Sequence, residues 1–508
     1  MNAKQTLLHA QIPILLMGSI CLFWQLDAKS LWIDELFTTE VIHQAMPLQV
    51  IGAVLATEGR PPLYYLMLHA WARIVGESDF ALRFFSLFFA ILCLPLTCLL
   101  ARRLWGTKQA RTAMALLAFS PLFLLYSRMA RAYWMAVFLA LLACYAFLCL
   151  GQRPTRLAWG AYLLASLALL YTDYMTASIL IVPNLIMVIY WRKFRHLWKP
   201  WILVHLFLSI GFLPWMSVMF DQVARYQASG SLADLSQGLA GYMVKLAQPW
   251  LVFSVGETLY PWNPLALLAL PAIGGLALYG LWLAWQSRHP AGMMVILATV
   301  IPVLFTVFVV TGFLVRYMTF AWIGARTLQS LPFYLLLVAN GLCALTRPWQ
   351  RSIACIAIVA TFIAADLNYY AGREFLNPIY IIPSKEIAHQ VWTQASPQDV
   401  VLASRDSVLK RYYPEHHAQV FDESDLNALR SYLEITPVAQ LWLVDVNRDR
   451  GGDIWPPEWS AWLQAHYQPV EKWGYAQMSP GYRRFKSWLT HRQAYQYKAE
   501  LTLYRRWE

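Results

Sequence analysis

The stretch Phe84-Phe-Ser-Leu-Phe-Phe-Ala-Ile-Leu-Cys-Leu-Pro-Leu-Thr-Cys-Leu-Leu100 contains no charged residue, and arginines stand at either end of it. An uncharged apolar run of this length is long enough, or nearly so, to cross the hydrocarbon layer of a bilayer as a helix. Similar runs recur from the beginning of the chain to about residue 365. The sequence therefore predicts a polytopic α-helical membrane protein.

The composition of the whole chain agrees with this interpretation. Of the 508 residues, 59% are hydrophobic and only 13% are charged, which excludes an ordinary soluble globular protein. The formal net charge of +12 does not predict nucleic acid as a partner, because the basic residues lie in short clusters between apolar runs. All seven cysteines lie within apolar runs, so we expect no disulfide framework.

About eleven apolar runs are candidates for membrane spans. They are residues 7–26, 84–100, 112–126, 133–150, 157–171, 174–190, 201–220, 265–285, 291–314, 328–345 and 353–365. With the N-terminus in the cytoplasm, this order places the basic clusters on one side, as the positive-inside rule requires. It also requires that residues 61–75 do not cross, and we interpret them as a juxtamembrane or re-entrant helix.

The charged residues that do not follow this rule collect on the opposite, non-cytoplasmic face. They are Asp34, Glu35, Glu58, Arg60, Arg128, Arg131, Asp173, Glu257, Arg316 and Arg326. The long segment 221–263 is predicted to lie outside the membrane on the same side. Ionised groups at a membrane are costly unless they have a partner or a substrate. The sequence therefore predicts a functional site on this face.

A change in composition near residue 369 divides the chain into two predicted domains. Residues 1–368 form a transmembrane domain whose first external loop is residues 27–79, and residues 369–508 form a small extracytoplasmic α/β domain. In the second domain, β-rich runs such as Val400-Val-Leu-Ala-Ser404 and Leu441-Trp-Leu-Val-Asp-Val446 alternate with helical stretches. We therefore expect a multi-pass protein of the cytoplasmic (inner) membrane with this domain outside.

Five short segments resemble outer-face motifs of bacterial membrane glycosyltransferases related to the protein O-mannosyltransferases and the aminoarabinose transferases. They are Trp32-Ile-Asp-Glu35, Glu58-Gly-Arg-Pro-Pro-Leu-Tyr-Tyr65, Tyr126-Ser-Arg-Met-Ala-Arg-Ala-Tyr133, Tyr171-Thr-Asp-Tyr174 and Arg326-Thr-Leu-Gln-Ser-Leu-Pro332. They occur in the order of the family and on one predicted face. The resemblance implies the multi-span fold called GT-C.

The resemblance also implies an activity. The donor is a sugar on a polyprenyl phosphate, and the acceptor is a lipid, a glycan or a protein at the outer face of the membrane. Asp34 is the implied general base, with Glu35 as the second catalytic candidate, because an acceptor hydroxyl needs a carboxylate within hydrogen-bond reach. Such a single displacement inverts the anomeric carbon without a covalent sugar intermediate.

The resemblance further implies a site for the donor phosphate. Arg60 occupies the position of a basic residue before proline that contacts this phosphate in the aminoarabinose transferases. Charge that develops on the leaving phosphate calls for cationic donors, and the further candidates are Arg128, Arg131, Arg316 and Arg326. The candidate substrate-binding residues are Tyr65, Asp173 and Glu257.

No cofactor is certain from the sequence, and a divalent metal is left open. In the aminoarabinose transferases a glutamate directly before the basic residue binds a metal, but Gly59 stands at that position here. Glu58, one residue earlier, is the candidate ligand.

Each of these interpretations has an alternative. The Asp34–Glu35 pair could cap an interfacial helix, Arg128 and Arg131 could be interfacial anchors, and Asp173 could simply pair with an arginine. For the whole chain, the alternative function is a transporter or flippase for lipid-linked sugars, which predicts inverted repeats and charges near the midplane. The sequence shows no such repeat. A non-catalytic protein that only binds carrier lipid is a third possibility, against which the Asp34 motif argues.

Overall fold

The computed structural model describes residues 3–228, 239–314, 323–404, 409, 411–412, 418–422, 425–446, 455–477, 479–490 and 498–507. The chain divides into two compact units. The first comprises Met1–Leu26 and Thr38–Phe375, and the second comprises Asp27–Phe37 and Leu376–Glu508. Part of the predicted first external loop therefore lies in the second unit.

Local contacts explain why this early segment lies in the second unit. The backbone N–H of Leu31 donates to the hydroxyl of Tyr412 at 2.7 Å. The Trp32 ring packs edge-on against Tyr380, with 4.8 Å between the ring centroids. Because these partners are hundreds of residues away in the chain, composition alone did not predict this assignment.

Helices α1 to α18 precede residue 376. They are α1 (Ala3–Phe23), α2 (Ile33–Ile42), α3 (Pro47–Thr57), α4 (Leu63–Val75), α5 (Asp79–Trp105), α6 (Thr107–Ala118), α7 (Pro121–Ser127), α8 (Tyr133–Gln152), α9 (Arg156–Leu170), α10 (Ile181–Ile189), α11 (Trp191–Phe194), α12 (Trp198–Ala228), α13 (Leu239–Val255), α14 (Pro264–Gln286), α15 (Pro290–Leu304), α16 (Ile323–Arg326), α17 (Leu331–Ala344) and α18 (Pro348–Ala371). A 3-10 turn, Thr176–Leu180, precedes α10, and a π-helical segment, Phe305–Leu314, follows α15.

Within the described ranges, six helical segments are long and apolar enough to cross a membrane. They are Asp79–Trp105, Tyr133–Gln152, Trp191–Arg225, Pro264–Gln286, Pro290–Val310 and Pro348–Ala371. The pair α6–α7 would make a seventh span, although it bends by 55° where Pro121 starts a new helix. A multi-span helical protein is thus confirmed, whereas the count of about eleven spans stays a prediction.

The segment interpreted as a non-crossing helix forms α4, which has only 13 residues. At 1.5 Å per residue it is about 20 Å long, which is short for a hydrocarbon layer of about 30 Å. Its inner face is buried, and Nδ1 of His69 on that face lies 2.8 Å from the carbonyl oxygen of Ile42. This histidine therefore has a structural partner within the fold.

Helices α14 and α17 approach so closely that only glycine fits where they meet. A Cβ atom on Gly280 would overlap the carbonyl oxygen of Leu337, and one on Gly341 would overlap that of Leu276. The amide of Asn340 donates to the Gly280 carbonyl at 3.3 Å. Small residues at such a crossing allow backbones to pack where the hydrophobic effect cannot drive association.

The second unit contains a five-stranded sheet in the order β2-β1-β3-β5-β4. Its strands are β1 (Val400–Ala403), β2 (Gln419–Asp422), β3 (Gln440–Val446), β4 (Tyr467–Gln477) and β5 (Lys498–Arg506). Strand β1 pairs in parallel with β2 and β3, whereas β5 pairs antiparallel with β3 and β4. The accompanying helices are α19 (Ser384–Gln394), α20 (Leu426–Ile435), α21 (Pro457–His466) and α22 (Pro480–Thr490).

Helices cover both faces of this sheet. On one face Val391 of α19 packs with Val401 of β1, and on the other face Leu429 of α20 packs with Leu402. Because successive strand residues point to opposite faces, β1 is buried at every position, as its uninterrupted apolar sequence predicts. The predicted small α/β fold is confirmed, and its side of the membrane stays a prediction.

Candidate active site

The loop between α3 and α4 carries the first charged pair of the site. Nη1 of Arg131 donates to Oε1 of Glu58 at 3.0 Å, and Nη2 donates to Oε2 at 3.5 Å. The same Nη1 donates to the hydroxyl of Thr38 in α2 at 2.8 Å. The two charged side chains are only 5% and 10% exposed, so the forked pair is buried.

The environment keeps Glu58 ionised. Burial alone acts to raise its pKa, but Arg131, Arg60 and a hydrogen bond from Tyr65 outweigh burial and lower the pKa below its ordinary value. Glu58, the candidate metal ligand, therefore already forms an ion pair with Arg131. Within the described part of the chain, no group of three or more His, Cys, Asp or Glu side chains is arranged to hold a metal ion.

Arg60 forms the second charged pair. Its Nη1 lies 3.3 Å from Oδ2 of Asp173, and its guanidinium lies 4.9 Å from the centroid of the Tyr133 ring. The residue is only 5% exposed, yet neither Nη1 nor Nη2 has a hydrogen-bond acceptor among the residues that the structure describes. An unsatisfied buried donor costs about 1–3 kcal/mol, so this guanidinium is suited to an acceptor that a ligand brings.

Asp173 is held in position from both sides. Its Oδ1 accepts the backbone N–H groups of Met175 at 2.8 Å and Thr176 at 3.1 Å, which caps the 3-10 turn. Its Oδ2 faces Arg60. The alternative that this aspartate pairs with an arginine thus has a specific partner, and that partner is the first phosphate candidate.

Arg128 has a different environment. Its Nη1 donates to the carbonyls of Leu22 at 2.9 Å and Trp24 at 2.6 Å, and its Nη2 donates to that of Gln25 at 2.5 Å. Its Nε donates to the hydroxyl of Tyr369 at 3.1 Å. Every nitrogen of this guanidinium therefore has a protein acceptor, Nη1 and Nη2 at the C-terminal end of α1 and Nε in α18. This supports the structural alternative for Arg128.

Glu257 is one of several further buried side chains with unsatisfied polar atoms. Its Oε1 accepts from the hydroxyl of Tyr126 at 3.0 Å. Its Oε2, both amide atoms of Gln248 and Nε of Arg326 have no hydrogen-bond partner within the described ranges. A Cβ atom on Gly324 would overlap Oε1 of Glu257, so only glycine lets α16 pass this carboxyl. The remaining phosphate candidate, Arg316, lies outside the described residues.

The protonation of Glu257 gives a test of this environment. Burial raises its pKa to about 8, even though the Tyr126 hydrogen bond acts to lower it. Because the pKa of Glu257 is higher in the folded state, the folded protein loses stability as the pH rises from the ordinary pKa of 4.5 to about 8. We expect Glu257→Gln to be more stable than wild type at about pH 9, by on the order of a few kcal/mol, and equally stable near pH 4.5.

The measurement is thermal unfolding of both proteins in detergent across this pH range. The exposed carboxylate Glu471 provides the control, since Glu471→Gln removes a carboxylate that is not buried and should not reproduce the stabilisation expected of Glu257→Gln at pH 9. A difference in thermal stability between wild type and Glu257→Gln that does not change with pH would contradict a protonated Glu257 in the folded protein.

Asp34 and Glu35 lie in the first turn of α2. Glu35 is fully buried, and its Oε2 accepts the backbone N–H of Trp32 at 3.1 Å. It thus acts as a cap of its own helix, as the structural alternative for the pair predicts. Asp34 is only partly buried.

Several polar residues of the site were not predicted. They are Thr38, Tyr133, Gln222 and Gln248. Gln222 in α12 donates to the carbonyl of Glu58 at 3.0 Å and accepts from the hydroxyl of Tyr174 at 2.9 Å. The sequence contains a signal for Gln248, because this residue lies three positions after Lys245 in an otherwise apolar stretch. In the structure both side chains are buried in α13.

Comparisons with known proteins agree with the predicted resemblance. Residues 59–218 match the family model for dolichyl-phosphate-mannose-protein mannosyltransferase, a range that includes Arg60, Arg131 and Asp173. No curated protein matches the chain. Among solved structures, ArnT from Cupriavidus metallidurans in the apo state is 13% identical, with 97% of each chain covered and a TM-score of 0.53.

Two further structures have the same fold. ArnT from the same organism bound to undecaprenyl phosphate is 14% identical, with 97% of each chain covered and a TM-score of 0.51. An oligosaccharyltransferase from Archaeoglobus fulgidus, in complex with Zn and sulfate, is 12% identical, with a TM-score of 0.50 over 85% of this chain and 68% of that one. The predicted resemblance and the GT-C type of fold are thereby confirmed.

Proposed function

We propose that this protein is a membrane glycosyltransferase that moves a sugar from a polyprenyl-phosphate donor to an acceptor at the outer face of the cytoplasmic membrane. The observation that carries the proposal is Arg60, a buried guanidinium whose Nη1 faces Asp173 without forming a hydrogen bond and whose Nη2 has no acceptor in the described structure. It stands next to the anchored Asp173. The family match over residues 59–218 and the fold shared with ArnT support the proposal.

In the proposed reaction, the acceptor hydroxyl attacks the anomeric carbon of the sugar while Asp34 takes the hydroxyl proton. The bond between the anomeric carbon and the phosphate oxygen breaks, and polyprenyl phosphate leaves with the electron pair. Arg60 stabilises the negative charge that develops on this phosphate, because charge-assisted hydrogen bonds are strong in a site without water. The anomeric configuration is inverted, since there is one displacement.

The remaining residues have supporting roles in this proposal. Arg131 is committed to Glu58 and positions the loop that carries Arg60. Glu257, Gln248 and Arg326 offer further polar atoms to substrate. We place the second unit, with its α/β fold, outside the membrane, where it is close to acceptors in the cell envelope.

Mass spectrometry of envelope glycans and lipids tests the proposal in cells with and without this protein. We expect one glycan or lipid to lose a single sugar residue when the protein is absent, and wild type but not Asp34→Asn to restore it. A flippase would show another result, because Asp34→Asn would then restore the product. That outcome, or an unchanged envelope, would contradict the proposed transfer.

Removal of Arg60 should weaken binding of the carrier. A charge-assisted hydrogen bond contributes about 1.5–3 kcal/mol, so we expect Arg60→Ala to lower the affinity for undecaprenyl phosphate roughly tenfold or more. Arg60→Lys should rescue binding only in part, because an ammonium cannot reproduce the planar fork. The measurement is the affinity of each purified variant for this lipid.

The exposed Arg102 provides a matched control, since Arg102→Ala removes the same charge outside the site. Wild-type affinity in both Arg60 variants would show that Arg60 serves only as the structural partner of Asp173.

A further inference from the structure

A groove of about 460 Å³ lies between α10 and α12, at the end of α12 remote from the candidate active site. Apolar side chains dominate its walls, among them Met187, Val188, Trp198 and Leu206. Along α12, the groove residue His205 is separated from Gln222, the residue that contacts the Glu58 carbonyl, by 17 positions. At 1.5 Å per residue this is about 26 Å, close to the thickness of the hydrocarbon layer.

Three polar side chains in the groove, those of Asn184, Trp201 and His205, form one hydrogen-bonded network. Nε1 of Trp201 donates to Oδ1 of Asn184 at 3.0 Å. Nδ1 of His205 lies 3.0 Å from the carbonyl oxygen of Trp201, and its Nε2 lies 3.1 Å from Nδ2 of Asn184. A neutral imidazole with its proton on Nδ1 fits both contacts, donating to the carbonyl and accepting from the amide. Because this network is complete, the groove is suited to an apolar chain.

The groove opens on an exposed apolar face of α12. In the apolar 18-residue window of the span that contains α12, only 22% of the residues are buried, against 67% in the corresponding windows of α5 and α8. The groove residues Ile202 and Leu206 are more than half exposed. From Trp198 to Ser209 the groove extends over 11 steps of the helix, or about 16 Å, which matches the hydrocarbon of one leaflet.

A cluster of exposed cations borders one end of the groove. Its members are Arg192, Lys193, Arg195 and Lys199. No acidic residue occurs in the sequence between Asp173 and Asp221, so no nearby carboxylate on this stretch of chain neutralises them. An apolar groove with a positive end complements a lipid that has hydrocarbon chains and an anionic headgroup.

We propose that this groove is a binding site for an anionic phospholipid. One acyl chain lies along α12 between Trp198 and Ser209, and the phosphate lies among the four cations. The site is separate from the donor site, because it lies at the opposite end of α12. It holds the most weakly packed span against the rest of the unit.

Native mass spectrometry of the full-length protein tests this site with phosphatidylglycerol and with phosphatidylethanolamine of the same chain composition. We expect wild type to bind phosphatidylglycerol roughly tenfold more tightly or better, because each cation near the headgroup contributes to binding. The double variant Arg195→Ala/Lys199→Ala should lose this preference. Ser209→Trp, which fills the groove at an exposed position and keeps the charges, should lose the bound lipid as well.

The matched control is Arg102→Ala/Arg347→Ala, which removes two exposed cations elsewhere and should keep wild-type binding. An equal loss of the phosphatidylglycerol preference in this control would overturn the proposal, because the preference would then come from the overall positive charge and not from these four cations. Retention of the lipid by Ser209→Trp would overturn it too, since the lipid would lie outside the groove. Competition by undecaprenyl phosphate at equal affinity would assign the groove to the carrier instead.

Discussion

Replacement of Asp34 by asparagine is expected to lower turnover by on the order of a hundredfold or more. An amide has the shape of the carboxylate but cannot accept the proton of the acceptor hydroxyl. Asp34 is only partly buried in the first turn of α2, so the substitution should leave the fold and carrier binding unchanged. The measurement is the initial rate of sugar transfer by purified protein, together with its affinity for undecaprenyl phosphate.

The neighbouring residue provides the matched control. Glu35 is fully buried and accepts the Trp32 N–H through Oε2, a hydrogen bond that the oxygen of a glutamine can also accept. Glu35→Gln should therefore change turnover much less. Wild-type transfer by Asp34→Asn would exclude Asp34 as the base. Asp173 would then be a poor replacement, because two backbone N–H groups and Arg60 already engage it.

The positions of the main helices could be predicted from the sequence. The apolar run that ends at Leu100 lies within α5, and the run at 265–285 coincides with α14 (Pro264–Gln286). Hydrophobic length is a local property, so it is visible without knowledge of tertiary contacts. Local sequence also indicated that residues 61–75 form a helix too short to cross comfortably.

The roles of equivalent side chains could not be predicted. Arg128 and Arg131 stand three residues apart in one motif, yet Arg128 binds the carbonyls at the end of α1 and Arg131 binds Glu58. The chain leaves the helical conformation between α7 and α8, so the two side chains diverge. The acceptors of the two arginines are provided by segments that are distant in sequence. Local sequence and composition therefore do not predict these contacts.

Breaks within apolar runs were also missed. The predicted span at 112–126 divides into α6 and α7, because Pro121 cannot continue the hydrogen-bond ladder. Conversely, helix α13 lies in what the sequence suggested was a long external segment. Its Lys245 and Gln248 lowered the apolar signal, although both side chains are buried. Polar residues that belong to a site can thus prevent the recognition of an apolar helix from its sequence.

Replacement of Arg131 by methionine should destabilise the protein more than any other single change discussed above. It leaves the ionised Glu58 buried without its main partner and removes the hydrogen bond to Thr38. Removal of one member of a buried ion pair lowers the free energy of unfolding by about 3–5 kcal/mol. The measurement is thermal unfolding in detergent. Glu58→Gln in the same protein should recover much of the loss, since the buried charge is then absent.

An exposed pair provides the control for this prediction. Arg430 and Glu434 form an ion pair at 3.0 Å with both side chains more than half exposed, so Arg430→Met should cost well under about 1 kcal/mol. Equal effects of the two substitutions would show that the Glu58–Arg131 pair does not support the fold.

The pH dependence of the Arg131→Met defect identifies its cause. In wild type the pKa of Glu58 is lowered, so the stability that this carboxylate contributes is present above its ordinary 4.5 and is lost only as the pH falls through the lowered value. Without Arg131, burial becomes dominant and should raise the pKa of Glu58 above 4.5. Acidification from pH 7 towards 4.5 then protonates Glu58 in the folded variant and relieves its buried charge. The gap in stability between variant and wild type should therefore narrow as the pH falls, whereas a defect caused by lost packing alone would stay constant.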